Sequence, residues 1–376
     1  MKIGITCYPT YGGSGAVATE LGMALGRRGH DVHFICYAPP FRLDRCTANV
    51  HYHEVEVSSY PLFRYPPYDL ALTSKMLEVM CAHRLDVLHV HYAIPHAISA
   101  VLARQMMPDC PIRVVTTLHG TDITIVGREA AYLRVTRFGL QQSDAVTAVS
   151  SFLAEETDRV IGADTPIRVI PNFVDPEKFA PRTNDEVRRT LAPRAATKVL
   201  THVSNFRPVK RVRDVVHVFA AVRREMDARL VLVGDGPDQP AALDLAADLG
   251  VGGDVVAFGR SENVAELLAA SDLFLLPSAG ESFGLAALEA QACGVPVIGT
   301  LEGGLPEVIE NGVTGCLCDV GDREAMSAHA IDLLRCDERR ARFGRAARER
   351  AQRLFAADDV VGRYEALYAE VVGGER

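Results

Sequence analysis

Short apolar runs recur along the whole chain, each followed by a stretch long enough for one helix. In the first half they are Lys2–Cys7, Val32–Cys36, Val50–Val57, Asp86–His91, Arg113–Leu118, Ala145–Val149 and Ile167–Pro171. In the second half they are Val199–Val203, Arg229–Val233, Val255–Phe258, Leu273–Leu276 and Val295–Ile298. Runs this apolar and this short predict parallel strands buried on both faces, except Val50–Val57, a short strand in which His51, His53 and Glu54 interrupt the apolar residues. Between them, helical spacing predicts helices over 16–28, 70–84, 283–293 and 323–353, among others; Gly29 and Gly294 stand just past two of the helix ends. Strand and helix alternate twice over, which predicts two parallel-sheet α/β domains with a cleft between them. The linker is expected near 172–180. The domains are expected over 1–172, with a terminal helix of about 355–376 returning to it, and over 173–354.

Polar residues collect where these strands end, the edge at which open α/β sheets hold ligands. Tyr11-Gly12-Gly13-Ser14-Gly15 follows the first strand. It lacks the G-x-G-x-x-G spacing, and a tight βα turn explains it as well as a ligand loop does. His91-Tyr92 ends one strand and His119-Gly120-Thr121-Asp122 the next. A neutral His there can accept a hydrogen bond from a hydroxyl. Equally, Thr121 or Asp122 can simply cap the following segment. Asn205, Arg207 and Lys210 lie after Val203, where cations beside a helix start form a diphosphate clamp or a solvated basic turn.

The stretch Leu273–Ile298 reads as strand, loop, helix and strand. Glu281 lies in its loop and Glu289 in its helix. On a continuous helix the two would sit about 80° apart around the axis and roughly 12 Å apart along it. They therefore suit two ends of one extended ligand rather than a shared proton. Glu281 can also be read as a first-turn acid. Glu289 falls within LAALEAQAC, where a lone carboxylate needs a partner.

Composition narrows the classes. A chain of 376 residues, 48% hydrophobic and 23% charged, is ordinary for a two-domain globular protein. Its net charge of −8 offers no global field for nucleic acid or an anionic membrane. No apolar run approaches the ~20 residues of a membrane span. MKIGITCYP starts directly as a strand with no leader-cleavage pattern, which points to the cytoplasm. Nine scattered cysteines with no C-x-x-C suit free thiols. His89 and His91 share a strand face but lack a third ligand of clear spacing, so no metal is expected. The aromatics near residues 60–68 suit a substrate loop or a subunit contact, which leaves a homo-oligomer open.

Glu281-Ser282-Phe283-Gly284-Leu285, with Glu289 eight residues beyond the first Glu, resembles the E-x7-E motif of retaining nucleotide-sugar glycosyltransferases of family 4. That family has the GT-B fold, two Rossmann-like domains facing across a cleft. The resemblance covers essentially the whole chain, through ITCYPTYGGSGAVATELG, HEVEVSSYPLFRYPPYDL, TTLHGTDIT and HVSNFRPVKRV; Phe173 stands where "PNGVD" has glycine. It implies that Glu281 contacts the donor sugar and Glu289 the ribose, while the backbone of Phe283, Gly284 and Leu285 meets the diphosphate. It implies that Arg207 and Lys210 bind the diphosphate with Asn205 beside them, that Arg260 lies by the uracil, and that Gly13 and Ser14 border the donor. His119 falls near the reacting carbon. The implied catalytic set is His119, Glu281, Arg207 and Lys210.

Within the family the likeness is strongest to members that transfer GlcNAc from UDP-GlcNAc to L-malate with retention, the first step of bacillithiol biosynthesis. The resemblance makes catalysis metal-independent, and the sequence has no D-x-D at a strand end. Malate is a dianion; candidate contacts are Ser14, Tyr92, Thr121, Arg134 and Arg137. The rivals are transfer to inositol phosphate or a lipid, epimerisation of UDP-GlcNAc, and a non-catalytic nucleotide-sugar sensor.

Overall fold

The computed structural model describes every residue except Arg45, Ser59, Thr183, Glu375 and Arg376. Ser59, in one of the segments carrying the resemblance, and the last two residues of the expected terminal helix therefore lie outside the described residues. The chain divides into two compact units, residues 1–172 with 358–376 and residues 173–357.

In the first unit the strands are β1 (Lys2–Thr6), β2 (Asp31–Cys36), β3 (Val50–Glu54), β4 (Val87–His91), β5 (Arg113–Leu118), β6 (Ala145–Ala148) and β7 (Ile167–Val169). They form one parallel sheet in the order β3-β2-β1-β4-β5-β6-β7. In the second unit β8 (Lys198–Val203), β9 (Ala228–Val233), β10 (Val255–Gly259), β11 (Leu273–Leu276), β12 (Val297–Thr300) and β13 (Gly315–Cys318) pair in the order β10-β9-β8-β11-β12-β13, also parallel. Each sheet thus reverses its strand order once, between β1 and β4 and between β8 and β11. The loops after those strands diverge there and leave a crevice at the carboxyl edge.

Burial explains why the runs are strands. β4, β5, β11, β12 and β13 lie between helix layers and are buried along nearly their whole length. In the first unit Leu72, Met76 and Met80 of the helix Tyr68–His83 pack with Leu88, Val90 and Val114. In the second, Val215, Val218, Phe219 and Val222 of the helix Val212–Glu225 pack on Leu200, Leu230 and Leu232. The terminal helix Ala357–Gly373 lies against the first sheet: Tyr368 OH is 2.7 Å from His89 Nδ1, and Tyr364 OH is 3.5 Å from Thr117 Oγ1.

Two helix starts differ from the sequence expectation. The helix expected from residue 16 begins at Gly13, so Gly13-Ser14-Gly15 forms its first turn rather than a loop. A Cβ on Gly15 would sit 2.6 Å from Tyr8 O, so the glycine permits a close approach. The helix expected from Phe283 begins at Leu285, because Gly284 has φ +98° and ends the loop in a left-handed conformation.

Candidate functional site

At the crevice of the second sheet, the loop after β8 meets the loop after β11. Ala279 N–H donates to Val209 O at 2.8 Å and ties the two together. Lys210 Nζ donates to Glu281 Oε1 at 2.6 Å, and Ser278 Oγ donates to the same oxygen at 2.8 Å. The Glu281 side chain is only 11% exposed, so its charge is held by that pair rather than by water. The loop is braced from behind by Gly303 and Gly304, where a Cβ would meet Glu281 O at 2.1 Å and Ser282 O at 2.4 Å. Gly304 N–H donates to Glu281 O.

From this loop the helix Leu285–Ala292 starts, and its unsatisfied N–H groups carry the positive end of the helix dipole. A Cβ on Gly284 would lie 2.5 Å from Leu305 Cδ2. Phe283 is buried edge-on against Phe355. It anchors the turn with its ring and offers only backbone to a ligand. Glu289 is buried on the helix. Arg207 is exposed, and its guanidinium makes no hydrogen bond or ion pair among the described residues. Asn205 Oδ1 is buried with no hydrogen-bond partner there. Arg260 pairs with Asp235 at 3.0 Å at the surface.

At the crevice of the first sheet a chain of hydroxyls links three sequence candidates. Ser14 Oγ donates to Tyr92 OH at 3.2 Å, and Tyr92 OH is 3.0 Å from Thr121 Oγ1. Tyr92 has φ +100°, and its ring stacks on His119. His119 Nε2 is 2.8 Å from His91 Nδ1. Burial and the nearby His96 push the His119 pKa down to about 3, so the ring is neutral at pH 7. A neutral imidazole can accept or donate one hydrogen bond but carries no charge.

The remaining candidates stand apart from this hydroxyl chain in their contacts. Arg137 Nε donates to Ile161 O, the carboxyl end of the helix Ser151–Ile161, which is a structural use. Arg134 is exposed on the helix Ala130–Gln141. Asp122 accepts backbone N–H groups from Ala93, Gly120 and His119, so its carboxylate ties the loops after β4 and β5 together, and the helix Asp122–Val126 that follows has no side-chain cap. Sequence reasoning missed His91 as the partner of His119 and Ser278 as the partner of Glu281. The strand-end position of both was the only signal.

The two halves match different families: residues 11–178 match Glycosyltransferase Family 4, and residues 183–350 match Glycosyl transferases group 1. Over 376 residues the chain is 50% identical to N-acetyl-alpha-D-glucosaminyl L-malate synthase of Bacillus anthracis, covering 100% of this chain and 98% of that protein. The chain belongs to the GT-B glycosyltransferases. A more distant glycosyltransferase relative, D-inositol 3-phosphate glycosyltransferase of Stackebrandtia nassauensis, is 34% identical over 320 residues, 79% of this chain and 67% of that one. Two solved structures share the GT-B architecture at 21% identity. Sucrose-phosphate synthase from Thermosynechococcus elongatus superposes with TM-score 0.80, covering 99% of each chain. Anabaena Alr3699/HepE in complex with UDP and glucose does so with TM-score 0.79, covering 98% of this chain and 100% of that one. No described helix is long and apolar enough to cross a membrane.

Proposed function

We propose that this glycosyltransferase moves GlcNAc from UDP-GlcNAc to the hydroxyl of L-malate with retention of the α configuration, in the cytoplasm, as the first step of bacillithiol biosynthesis. The observation that carries the reading is the full-length 50% identity to the Bacillus anthracis enzyme, whose name states the product. In this reading the second unit anchors the donor. Glu289 takes the ribose hydroxyls. Arg207, Lys210 and the N–H groups at Gly284 and Leu285 take the diphosphate. Lys210 is paired with Glu281, so the exposed Arg207 and the helix start supply most of the net positive field. Asn205 meets a polar donor atom through its buried amide oxygen. Glu281 uses Oε1 for Lys210 and Ser278 and has Oε2 for a sugar hydroxyl. Arg260 would leave Asp235 to reach the uracil.

The first unit contributes His119, whose neutral ring hydrogen-bonds the sugar near C1, and Gly13, whose lack of a side chain admits the donor. The Ser14–Tyr92–Thr121 hydroxyls, with Arg134, suit the malate carboxylates. In a front-face displacement the C1–O bond to the diphosphate breaks while the malate hydroxyl oxygen bonds C1 on the same face. The hydroxyl proton passes to the departing phosphate oxygen, and UDP leaves. Protein cations and amide dipoles would stabilise that charge without a divalent ion.

The 34% identity to a D-inositol 3-phosphate glycosyltransferase favours inositol phosphate as the second acceptor to try. The test supplies UDP-GlcNAc with malate, with inositol 3-phosphate, or with no acceptor, and reads products by mass spectrometry. A GlcNAc-malate mass only in the malate arm supports the proposal. Product only with inositol phosphate removes malate, and UDP release or epimerised sugar without any acceptor removes the transferase reading.

A further inference from the structure

The first unit contains a group of imidazoles that the transfer reaction does not use. Strands β2 and β3 pair in parallel with His33 beside His51 and Ile35 beside His53. The two-residue period therefore sets Asp31, His33, His51 and His53 on one face of the sheet. The helix Tyr68–His83 returns toward the start of β4 and ends at that face with His83. Three separate elements thus deliver imidazoles to one place on a face of the sheet, apart from the strand ends that carry Tyr92 and His119.

The geometry is close. His33 Nδ1 is 2.9 Å from His53 Nε2, and the rings of His33, His53 and His83 lie with centroids 4.2 to 5.2 Å apart. One ligand nitrogen from each of the three lies within 4.8 Å of the others. Tetrahedral coordination at Zn–N ≈ 2.0–2.1 Å needs nitrogens about 3.3 Å apart, so small ring rotations suffice. His33 is 1% exposed, and its Nε2 is buried without a hydrogen bond. That nitrogen stands 3.4 Å from Asp31 Oδ2, while the other Asp31 oxygen accepts from His51 at 2.9 Å. When His33 Nδ1 accepts from His53, the proton of His33 lies on Nε2 and faces the Asp31 carboxylate. A cation on Nδ1 fixes the proton on Nε2 and turns it toward the carboxylate, the arrangement that orients metal-bound imidazoles.

We propose that His33, His53 and His83 bind one divalent cation of the zinc class, with Asp31 as the outer carboxylate orienting His33. Imidazole donors without thiolate select late first-row ions over magnesium or calcium. The ion clips the edge strand β3 and the end of the helix to β2. This is a structural tie and leaves the donor site's chemistry unchanged.

The test uses untagged full-length protein, stripped with chelator and then titrated with Zn²⁺ against a chromophoric chelator and with Co²⁺ by absorption. We expect one equivalent per chain, tetrahedral Co²⁺ bands with no thiolate charge-transfer band, and a higher melting temperature with zinc. His53→Ala and His83→Ala should each abolish stoichiometric binding while UDP binding shows that the fold persists. Asp31→Asn should weaken binding about 10–100-fold. His51→Ala should retain the full equivalent. The proposal is overturned by no bound equivalent, by thiolate bands, by binding that survives in both His53→Ala and His83→Ala, or by loss in His51→Ala, which would move the ion to Asp31, His33 and His51.

Discussion

Mild acid should unfold the first unit before the second. His89 and His96 are fully buried in the first unit and His202 in the second. Burial pushes their pKa values down to about 3, 4 and 4 respectively. Each ring is therefore neutral in the fold, whereas an unfolded histidine titrates near 6.5. A base whose pKa is lowered by folding contributes stability that is complete above the unfolded value and is lost as pH falls below it. At pH 5 the unfolded ring is almost wholly protonated and the native ring almost wholly neutral, so each group costs about 2 kcal/mol relative to pH 7.5. The first unit loses about 4 kcal/mol from His89 and His96, with buried His91 and half-buried His119 acting in the same direction; the second loses about 2 kcal/mol. Against a domain stability of about 5–15 kcal/mol, that difference separates two transitions. Hydrogen exchange at several pH values reads each unit separately: amides of β4 and β5 should lose protection faster on acidification than those of β8 and β11. Equal losses in both units, or a flat profile between pH 7.5 and 5, would refute the reasoning. His89→Gln, with the acid sensitivity of the first unit reduced, is the control.

Other substitutions test the assigned roles. Glu289→Ala should weaken UDP binding by tenfold or more with the fold intact, read by calorimetry, while His119→Ala should lower turnover with little change in UDP affinity. Lys210→Ala leaves the largely buried Glu281 without its cation and removes charge from the departing diphosphate; kcat should fall about 100-fold or more. Gly284→Ala sets a Cβ 2.5 Å from Leu305 Cδ2 at φ +98°; a strain of about 1–3 kcal/mol should shift the helix start, reduce UDP affinity and lower the melting temperature. Tyr92→Phe breaks the Ser14–Tyr92–Thr121 hydroxyl chain, and steady-state kinetics should show a raised KM for malate with that for UDP-GlcNAc unchanged.

The central strands were legible because β4, β11 and β12 are short and mostly apolar, and their burial between helix layers requires that composition, whereas the edge strand β3 (VHYHE) is mostly polar and partly exposed. Leu273–Leu276 appears in the fold with the bounds its residues suggest. Helix starts were less legible where glycine is involved. Gly284 belongs to the loop through its positive φ, and Gly13-Ser14-Gly15 belongs to the helix through the close approach of Gly15 to Tyr8; composition alone does not separate the two uses. The side-chain partnerships were illegible for a further reason. Lys210 and Glu281 are brought together by the β8–β11 adjacency, and His91 and His119 by the β4–β5 adjacency. The imidazole group needs the β2–β3 register and the return of a helix as well. His51 and His53 alternate with apolar residues along β3, but nothing near them in sequence points to His33 or His83.

The central claim is that the donor's pyrophosphate is met by protein cations and amide dipoles in the second unit. A crystal structure with bound UDP tests it most directly. The account predicts ribose hydroxyls on the Glu289 carboxylate and the diphosphate on Arg207, Lys210 and the amides of Gly284 and Leu285. Nucleotide density away from Glu289 and Lys210, or a diphosphate held through a bridging divalent ion, would contradict it.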